Sequence, residues 1–442
     1  MLVRRHVSGV LHVTLAASLM IHSGCRGSSE SATQINPTNY TQSSSSQTNT
    51  ESNDWAYWRG PNRNGIAPSP QSPVTEWGEE KNVIWRTKLP GRGHGSPTIF
   101  GDHIYLAAGD AGTESLRLLC LHRLNGQMIW EKEIHRGGFR RNLHANNSHA
   151  SGTVSCDGER LYAAFEHDGS IHVYVFNLAG ELIWKRTVGQ YKAHYPFGFG
   201  GSPLVCQAMV CVAGETDHGC LVAYRAADGR EMWRVKQDFT YGYASPIVTT
   251  IEGRELLLMS GGNRVTAYDP LGGREIWSVP TKWRVACGTM VWDGNMVFAS
   301  GGFPDQQTLG IDAVNGKLIW ENGVKCYEQS LLAHNGYVYG ISDRKIAYCW
   351  RAADGQEMWK ERLISGSNRG GVSASPILAN GMIYASVEDG TTFVFKADPT
   401  RFELIAQNQL GDSAFATPTI VDSKIYLRIG EKQQEWMYCI GQ

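Results

Sequence analysis

The residues of this sequence whose types and spacing could serve metal binding, redox chemistry or phosphate binding are ten cysteines, a pair of histidines and a few glycine-rich segments. The cysteines include no Cys-x-x-Cys motif and no adjacent pair, so their spacing predicts neither a zinc ribbon nor a redox motif. Most lie in apolar segments, where a small buried hydrophobic side chain is the favoured interpretation. His144 and His149 share a predicted loop, which is only a weak metal signal. We therefore predict no metal ligand.

The sequence also gives little support for a nucleotide-binding site or a hydrolase active site. Gly198-Phe199-Gly200 precedes a predicted strand and does not join a strand to a helix, so turn glycines explain it better than a phosphate-binding loop. No Ser-His-Asp set emerges, and we predict no catalytic residue. The formal net charge is −1 and no basic stripe is present, which gives no electrostatic case for nucleic acid.

The N-terminus has the pattern of an export signal. Arg4 and Arg5 precede a short apolar run, which is too short to span a bilayer. The run ends in Ser23-Gly24-Cys25, which resembles a bacterial lipobox with Cys25 as the acylated residue, although His22 occupies a place where a lipobox has an aliphatic residue. Residues 1–25 are thus predicted to be a signal peptide with a lipid attachment site, and plain secretion is the alternative.

Residues 26–54 are rich in Ser, Thr, Asn and Gln and contain almost no apolar side chains. Such a segment cannot bury enough surface to offset the loss of chain entropy, so it is predicted to be a flexible tether. A tether after a lipidated cysteine holds the following domain away from a membrane. We expect that domain to cover residues 55–442, in the periplasm or elsewhere in the cell envelope.

One phrase recurs through this domain: a turn pair, three residues, and then tryptophan. Asn125-Gly126 before Trp130 and Asp228-Gly229 before Trp233 are two examples. A repeat of roughly 40–50 residues indicates a propeller or a helical solenoid. The tryptophans that close such phrases are Trp130, Trp184, Trp233, Trp277, Trp320 and Trp359, and Trp85 ends a similar run, Asn82-Val83-Ile84-Trp85, without the turn pair.

The segments between these tryptophans favour strands. Asn-Gly and Asp-Gly pairs separate short β-rich runs, which is typical of hairpins, and each unit supplies four runs. Eight units open with Ser-Pro or a variant of it, from Ser96-Pro97 to Thr417-Pro418. The sequence therefore predicts an all-β, eight-bladed β-propeller. The last unit lacks a tryptophan run, so we expect the strand around Trp85 to complete the final blade and close the ring.

The Gly-x-x-x-Trp phrase resembles the tryptophan-docking motif of the pyrroloquinoline-quinone-like repeat propellers, and the resemblance covers roughly residues 55–442. The opening segment Trp58–Gly65 also resembles the start of exported bacterial propellers of this type. The resemblance implies eight blades with the seven tryptophans wedged between neighbours as structural docking residues. It covers both quinone-dependent dehydrogenases and lipoproteins that assemble outer-membrane proteins by binding alone.

The loops that precede the inner strands of a propeller converge on one face around the channel mouth. Here they are rich in aromatic residues, His, Asn and Arg, a composition typical of recognition surfaces; loop packing is the alternative. The candidate ligand or partner face consists of Arg92, His94, His144, Asn147, His149, Tyr195, Tyr241, Tyr243, Trp283, Arg284, Glu328 and Arg369.

The leading hypothesis is a non-catalytic binding propeller of the cell envelope that recognises a protein partner, a peptide or a small polar ligand. A quinone-dependent dehydrogenase is one alternative, but the family's adjacent cysteine pair is missing and no cluster of Ca²⁺-binding acids can be recognised. We therefore expect no cofactor, neither pyrroloquinoline quinone nor Ca²⁺. An assembly factor for outer-membrane proteins is the other alternative, by family analogy alone.

Overall fold

Thirty-two β-strands form the regular structure of the chain in a computed structural model that describes residues 54–192, 195–236, 242–367 and 370–442. Every regular element of these residues is a strand, and they include no helix of the length and apolarity that a bilayer span requires. The strands form eight four-stranded antiparallel sheets, which confirms the predicted all-β, eight-bladed propeller. The predicted signal peptide, its Cys25 and all but the last residue of the predicted tether lie outside the described residues.

Blades 1 to 4 follow one another in sequence, and each runs from its inner to its outer strand. Blade 1 comprises β2 (Thr98–Phe100), β3 (His103–Asp110), β4 (Ser115–His122) and β5 (Met128–Arg136). Blade 2 comprises β6 (Ser155–Cys156), β7 (Arg160–His167), β8 (Ser170–Asn177) and β9 (Leu182–Gln190). Blade 3 comprises β10 (Leu204–Cys206), β11 (Met209–Thr216), β12 (Gly219–Arg225) and β13 (Glu231–Val235), and blade 4 comprises β14 (Ile247–Ile251), β15 (Arg254–Ser260), β16 (Arg264–Tyr268) and β17 (Glu275–Pro280).

Blades 5 to 7 repeat this order, and blade 8 takes its outer strand from the N-terminal part of the domain. Blade 5 comprises β18 (Val291–Asp293), β19 (Met296–Gly302), β20 (Gln306–Asp312) and β21 (Lys317–Asn322). Blade 6 comprises β22 (Leu332–His334), β23 (Tyr337–Ile341), β24 (Ile346–Arg351) and β25 (Glu357–Arg362). Blade 7 comprises β26 (Ile377–Ala379), β27 (Met382–Ser386), β28 (Thr391–Lys396) and β29 (Leu404–Gln409), and blade 8 comprises β30 (Thr419–Val421), β31 (Lys424–Glu431), β32 (Gln434–Ile440) and β1 (Val83–Lys88).

The turn chemistry explains the hairpins. Asp168-Gly169 between β7 and β8 has φ angles of 50° and 68°, and Asn380-Gly381 between β26 and β27 has 49° and 72°. Asn, Asp and Gly tolerate this left-handed conformation, whose twist matches that of the strands it joins. Each sheet packs on its neighbours through both faces, so middle strands such as β3 and β7 are buried almost throughout. The outer strands are more exposed, and in β1 half-buried and exposed residues alternate.

The seven tryptophans of the repeated phrase lie on outer strands at the boundaries between blades. Trp130 packs against Gly180 of blade 2, where an added Cβ would stand 3.0 Å from the ring. The other six indole N–H groups donate to a backbone carbonyl oxygen of the next blade over 2.8–3.1 Å. The acceptors for Trp85, Trp184, Trp233, Trp277, Trp320 and Trp359 are Arg123, Ala226, Pro270, Ala313, Ala352 and Asp398, respectively.

The segment before β1 crosses the propeller axis. Ala56 O accepts from Cys156 N of blade 2, Arg59 Nη2 donates to Leu331 O at the start of blade 6, and both distances are 2.8 Å. Arg63 Nη2 donates to Val205 O of blade 3 over 2.8 Å, while Ala67 N donates to Leu378 O of blade 7 over 2.8 Å. In a ring of eight, blades 2 and 6 are opposite, as are 3 and 7, so the segment passes over the axial channel.

Candidate functional site

A funnel opens at the end of the axis where the inner strands begin. Its space, including the part open to solvent, is about 980 Å³, and residues from all eight blades and from the axial segment line it. The residues that line the funnel are Trp58, His94, His144, Asn146, Asn147, Ser151, Phe197, Gly198, Gly200, Ser202, Tyr243, Ser245, Cys287, Thr289, Tyr327, Glu328, Ser373, Phe415 and Thr417.

A ring of hydroxyl side chains joins the starts of the inner strands. Six of the eight blade openings place a Ser or Thr where its oxygen accepts from the backbone N–H of the preceding blade, which satisfies donors that a short inner strand leaves unpaired. We call these residues the hydroxyl ring. The bonds run from Ser96 N to Thr153 Oγ1, Thr153 N to Ser202 Oγ, Ser202 N to Ser245 Oγ, Thr289 N to Ser330 Oγ, Ser330 N to Ser375 Oγ and Ser375 N to Thr417 Oγ1, at 2.9–3.0 Å.

The axial segment forms the floor of the funnel. Trp58 Nε1 donates to Thr289 Oγ1 of the hydroxyl ring over 2.9 Å. The next residue, Arg59, is 1% exposed, and this burial lowers the pKa of its guanidinium to about 9. Buried cations are costly unless they are hydrogen bonded. Arg59 Nη2 donates to the carbonyl oxygens of Asn64 and Leu331, whereas Nε and Nη1 have no hydrogen-bond partner among the described residues. The segment is therefore a fixed part of the channel.

Aromatic side chains form one wall and its rim. The Phe197 ring lies 5.8 Å from Tyr243 in an edge-to-face arrangement and 5.4 Å from His144, measured between ring centroids. Tyr195 links Phe197 to Phe303, which is 53% exposed at the outer edge. Such rings offer a large contact area with few rotatable bonds.

Another part of the wall carries a stacked pair of rings. His94 stacks on Phe415 with ring centroids 4.4 Å apart, and the Arg92 guanidinium lies 5.6 Å from the same phenyl ring. Burial lowers the pKa of His94 well below its usual value, and the charges of Arg92 and Arg428 add to the effect. His94 is therefore neutral at pH 7 and presents a flat, uncharged ring.

Glu328 supplies the negative charge of the funnel. Desolvation by the surrounding wall raises the pKa of its carboxyl, and the nearby charges of Glu388 and Asp343 act in the same direction. Ser373 Oγ lies 2.6 Å from Glu328 Oε2 and 2.7 Å from Glu388 Oε1. A single hydroxyl hydrogen satisfies only one of these two carboxylates, so the pair favours a ligand that brings a donor or a positive charge.

The structure brings together five of the residues predicted for this face, because His94, His144, Asn147, Tyr243 and Glu328 all line the funnel. Arg92 and His149 lie beside it, in a neighbouring cleft of about 1,460 Å³ that also includes His144 and Asn147.

Tyr195 and Arg284 belong to the rim. Tyr195 packs on Phe197, while Arg284 is exposed and its backbone N–H donates to Phe303 O over 2.7 Å. Tyr241 and Arg369 lie outside the described residues.

Trp283 requires a correction. Its side chain is 0% exposed, its Nε1 donates to Gly261 O over 3.0 Å, and it packs in a core cluster with Val279 and Ala286. The prediction that Trp283 faces a ligand is wrong, because the indole turns inward from the loop. Sequence analysis also missed Trp58 as the floor of the funnel, although the segment that contains it had been recognised as a motif.

A second cluster, between blades 1 and 2, was not predicted at all. The rings of His135 and His167 stack with centroids 3.6 Å apart, and those of His167 and His172 stack at 3.9 Å. Burial lowers the pKa of both His167 and His172 to about 4. Asp168 lies against the first two rings. The sequence signal was weak, since these histidines lie on three different strands.

Comparison with protein families gives one match that covers most of the domain. The family described as outer membrane protein assembly factor BamB matches residues 69–188, 114–361 and 305–401. Among curated proteins, tetrathionate hydrolase of Acidithiobacillus ferrooxidans is 27% identical over 133 residues, or 29% of this chain. The matched part is 26% of the hydrolase, so the chain spans about a quarter of that relative's length.

Solved structures resemble the domain more completely. BamB from Moraxella catarrhalis aligns with a TM-score of 0.60 at 14% identity, covering 80% of this chain and 96% of that one. A europium-containing methanol dehydrogenase aligns with a TM-score of 0.65 at 11% identity, covering 89% and 99%. Quinohemoprotein alcohol dehydrogenase from Comamonas testosteroni gives 0.60 at 12% identity, covering 88% and 80%. Likeness at this level of identity shows a shared fold.

Proposed function

This chain belongs to the family of the outer membrane protein assembly factor BamB, and we propose that it is a non-catalytic binding propeller of the cell envelope that holds an extended segment of a partner protein in its funnel. The observation that carries the proposal is the funnel lining: aromatic rings, amides and hydroxyls from eight blades around a closed floor. Aromatic residues dominate the energetically important parts of protein interfaces.

The charge of the lining favours one kind of segment. Glu328 is the one carboxylate among the described funnel-lining residues, and it shares Ser373 with Glu388. We expect the partner segment to insert apolar or aromatic side chains beside Phe197 and Tyr243 and to place a Lys or Arg at Glu328. The exposed amide of Asn146 can bond its backbone groups, whereas the Asn147 amide is held in place because Nδ2 donates to Phe197 O and Oδ1 accepts from Ser148 N.

The quinone-dependent dehydrogenase remains the rival function, but its cofactor fits this funnel poorly. Ca²⁺ binds about six to eight oxygen ligands, several of them from carboxylates. The described lining offers Glu328 alone, together with the single cysteine Cys287. The proposed binding function therefore requires neither pyrroloquinoline quinone nor Ca²⁺.

Site-specific photocrosslinking tests the binding proposal. Phe303 is replaced by benzoylphenylalanine, an aromatic substitution at an exposed rim position, in cells that carry the full chain. We expect a crosslink to an outer-membrane protein or to a component of its assembly machinery, identified by mass spectrometry. Tyr243→Ala should weaken this crosslink by about thirtyfold, because removal of a central anchor of an interface costs roughly 2 kcal/mol or more.

Two controls make the result interpretable. The same photoreactive residue at Ile183, which is 46% exposed on the outer strand β9, should give no such product, and Ile183→Ala should leave the Phe303 crosslink intact. Equal crosslinking from Phe303 and Ile183, or no loss with Tyr243→Ala, contradicts the proposal. If the protein reduced a dye with alcohols or sugars after addition of pyrroloquinoline quinone and Ca²⁺, the dehydrogenase function would replace the binding proposal.

The proposal includes a location in the cell. We propose that residues 1–25 direct export and that an acylated Cys25 attaches the domain to a membrane through residues 26–54, because the Ser23-Gly24-Cys25 sequence follows a charged and then apolar run. Mass spectrometry of the mature protein should find a lipid on an N-terminal Cys25, and Cys25→Ser should release the protein from the membrane fraction. A wild-type protein that is soluble or still carries residues 1–24 contradicts lipid attachment.

A further inference from the structure

Three ligand atoms converge where the outer strand of blade 1 meets a turn of blade 2. His135 lies on β5, His167 ends β7, and Asp168 begins the turn that follows. His167 Nδ1 lies 2.8 Å from Asp168 Oδ2, and His135 Nε2 lies 3.1 Å from the same oxygen. One ligand atom from each residue falls within 4.8 Å of the others. None of these residues belongs to the funnel.

These separations match the first coordination shell of a small dication. Zinc binds imidazole nitrogen and carboxylate oxygen at about 2.0–2.2 Å in a tetrahedron, whose ligand atoms are then roughly 3.3 Å apart. The separations of 2.8 and 3.1 Å from Asp168 Oδ2 require only a small outward movement of that carboxylate. The stacked rings of His135 and His167 must also rotate so that both nitrogen lone pairs point at the ion. Imidazole with one carboxylate suits zinc and its first-row neighbours, whereas Mg²⁺ and Ca²⁺ prefer oxygen ligands alone.

The groups behind the ligands favour this role. Tyr174 Oη lies 2.8 Å from His167 Nε2, so the ring can donate its Nε2–H to the tyrosine and keep the Nδ1 lone pair free. Ligand histidines in metal sites nearly always donate their second N–H in this way. On the other face of the His167 ring, His172 is only 7% exposed, and its Nε2 has no hydrogen-bond partner among the described residues.

The backbone fixes the carboxylate. Asp168 has φ of 50°, and its N–H donates to Gly138 O over 2.9 Å. A Cβ on Gly138 would lie 2.1 Å from Asp168 Oδ1, so the glycine makes room for the carboxylate beside the loop of blade 1. The Asp168 side chain is 58% exposed, which leaves an open side for water as a further ligand.

We propose that His135, His167 and Asp168 bind a zinc-type divalent ion that joins the outer part of blade 1 to blade 2. Bridging two blades gives the ion a structural effect, because an ion that binds only the folded protein stabilises it. The site is independent of the funnel and of its partner.

Titration of the full-length, untagged chain with Zn²⁺ by isothermal calorimetry tests this proposal. We expect at least one equivalent to bind with micromolar or tighter affinity, a rise in Tm on addition of Zn²⁺, and no such effect of Mg²⁺. Co²⁺ should give the visible absorption bands of a tetrahedral nitrogen and oxygen site. Asp168→Asn, which tolerates the positive φ and so keeps the turn, should weaken this site at least tenfold, as should His135→Gln.

His218→Gln is the matched control. His218 Nε2 also faces a carboxylate, lying 3.6 Å from Asp217 Oδ2, but it belongs to no cluster of three potential ligands among the described residues. The Zn²⁺ affinity of the His218→Gln variant and its rise in Tm on addition of Zn²⁺ should equal those of the wild type. Undiminished binding in both Asp168→Asn and His135→Gln, absence of saturable Zn²⁺ binding to the wild type, or an equal loss in His218→Gln would overturn the proposal.

Discussion

Glycines beside the interblade tryptophans have two separate reasons to lack a side chain. Gly229 in blade 3 has φ of +70°, and a Cβ there would lie 2.7 Å from Trp184 Cε3 of blade 2. Gly253 has a similar φ of +76°, but a Cβ there would have nothing within 4 Å. The two positions thus separate backbone strain from steric conflict with an indole.

Substituting alanine at each position measures the two effects. Gly253→Ala should cost about 1–2 kcal/mol of unfolding free energy, which is the expense of a left-handed backbone with a Cβ. Gly229→Ala should cost about 1–3 kcal/mol more, because the indole must move in a packed interface. Thermal unfolding followed by tryptophan fluorescence gives the comparison. Equal losses of Tm in the two variants would mean that the indole does not depend on the space above Gly229.

At the same scale, the sequence identified several funnel residues but not their orientations. His94 and Tyr243 line the funnel, as expected for loops that precede inner strands and converge on the axis, while their contact with a ligand stays a prediction. Trp283 lies in such a loop as well, yet its indole is buried, since the direction of a loop side chain depends on packing that spacing does not encode. The contact of His135 with Asp168 joins two blades, so no local sequence pattern predicts it.

Strands were the most predictable level. Asp-Gly and Asn-Gly pairs specify tight hairpins locally, so the four runs of each unit could be located from the sequence. From the sequence, the Ser or Thr that opens each unit only marks where the unit begins. In six of the eight units its hydroxyl oxygen accepts from a backbone N–H some 41–57 residues away, in the neighbouring blade. That role follows from closure of the ring, which places successive openings side by side.

Two N-terminal pieces hold the whole ring together. The axial segment contacts inner strands on opposite sides of the channel. Strand β1 then pairs with β32 from Val83 to Lys88, so the first and last strands of the described domain share one sheet. The sequence predicted this pairing from a count of tryptophan phrases, whereas it gave no indication that the preceding residues cross the axis.

Chains that begin at Asp54, Gln71 or Leu89 separate these two contributions. The chain from Asp54 keeps both pieces and is the control, so its Tm should equal that of the full chain. The chain from Gln71 lacks Trp58, Arg59 and Arg63 but retains β1, and we expect a lower Tm. Removal of β1 as well leaves the backbone groups of β32 unpaired along an exposed edge, which invites aggregation.

We therefore expect the chain from Leu89 to melt roughly 10 °C or more below the control, a difference that corresponds to several kcal/mol in a domain of this size. Calorimetry gives the Tm order, and light scattering detects association through the open edge. If the chain from Leu89 melted like the chain from Asp54, β1 would add nothing to the ring. If the chain from Gln71 matched the control instead, the axial segment would serve only as the floor of the funnel, because its contacts with opposite blades would not contribute to stability.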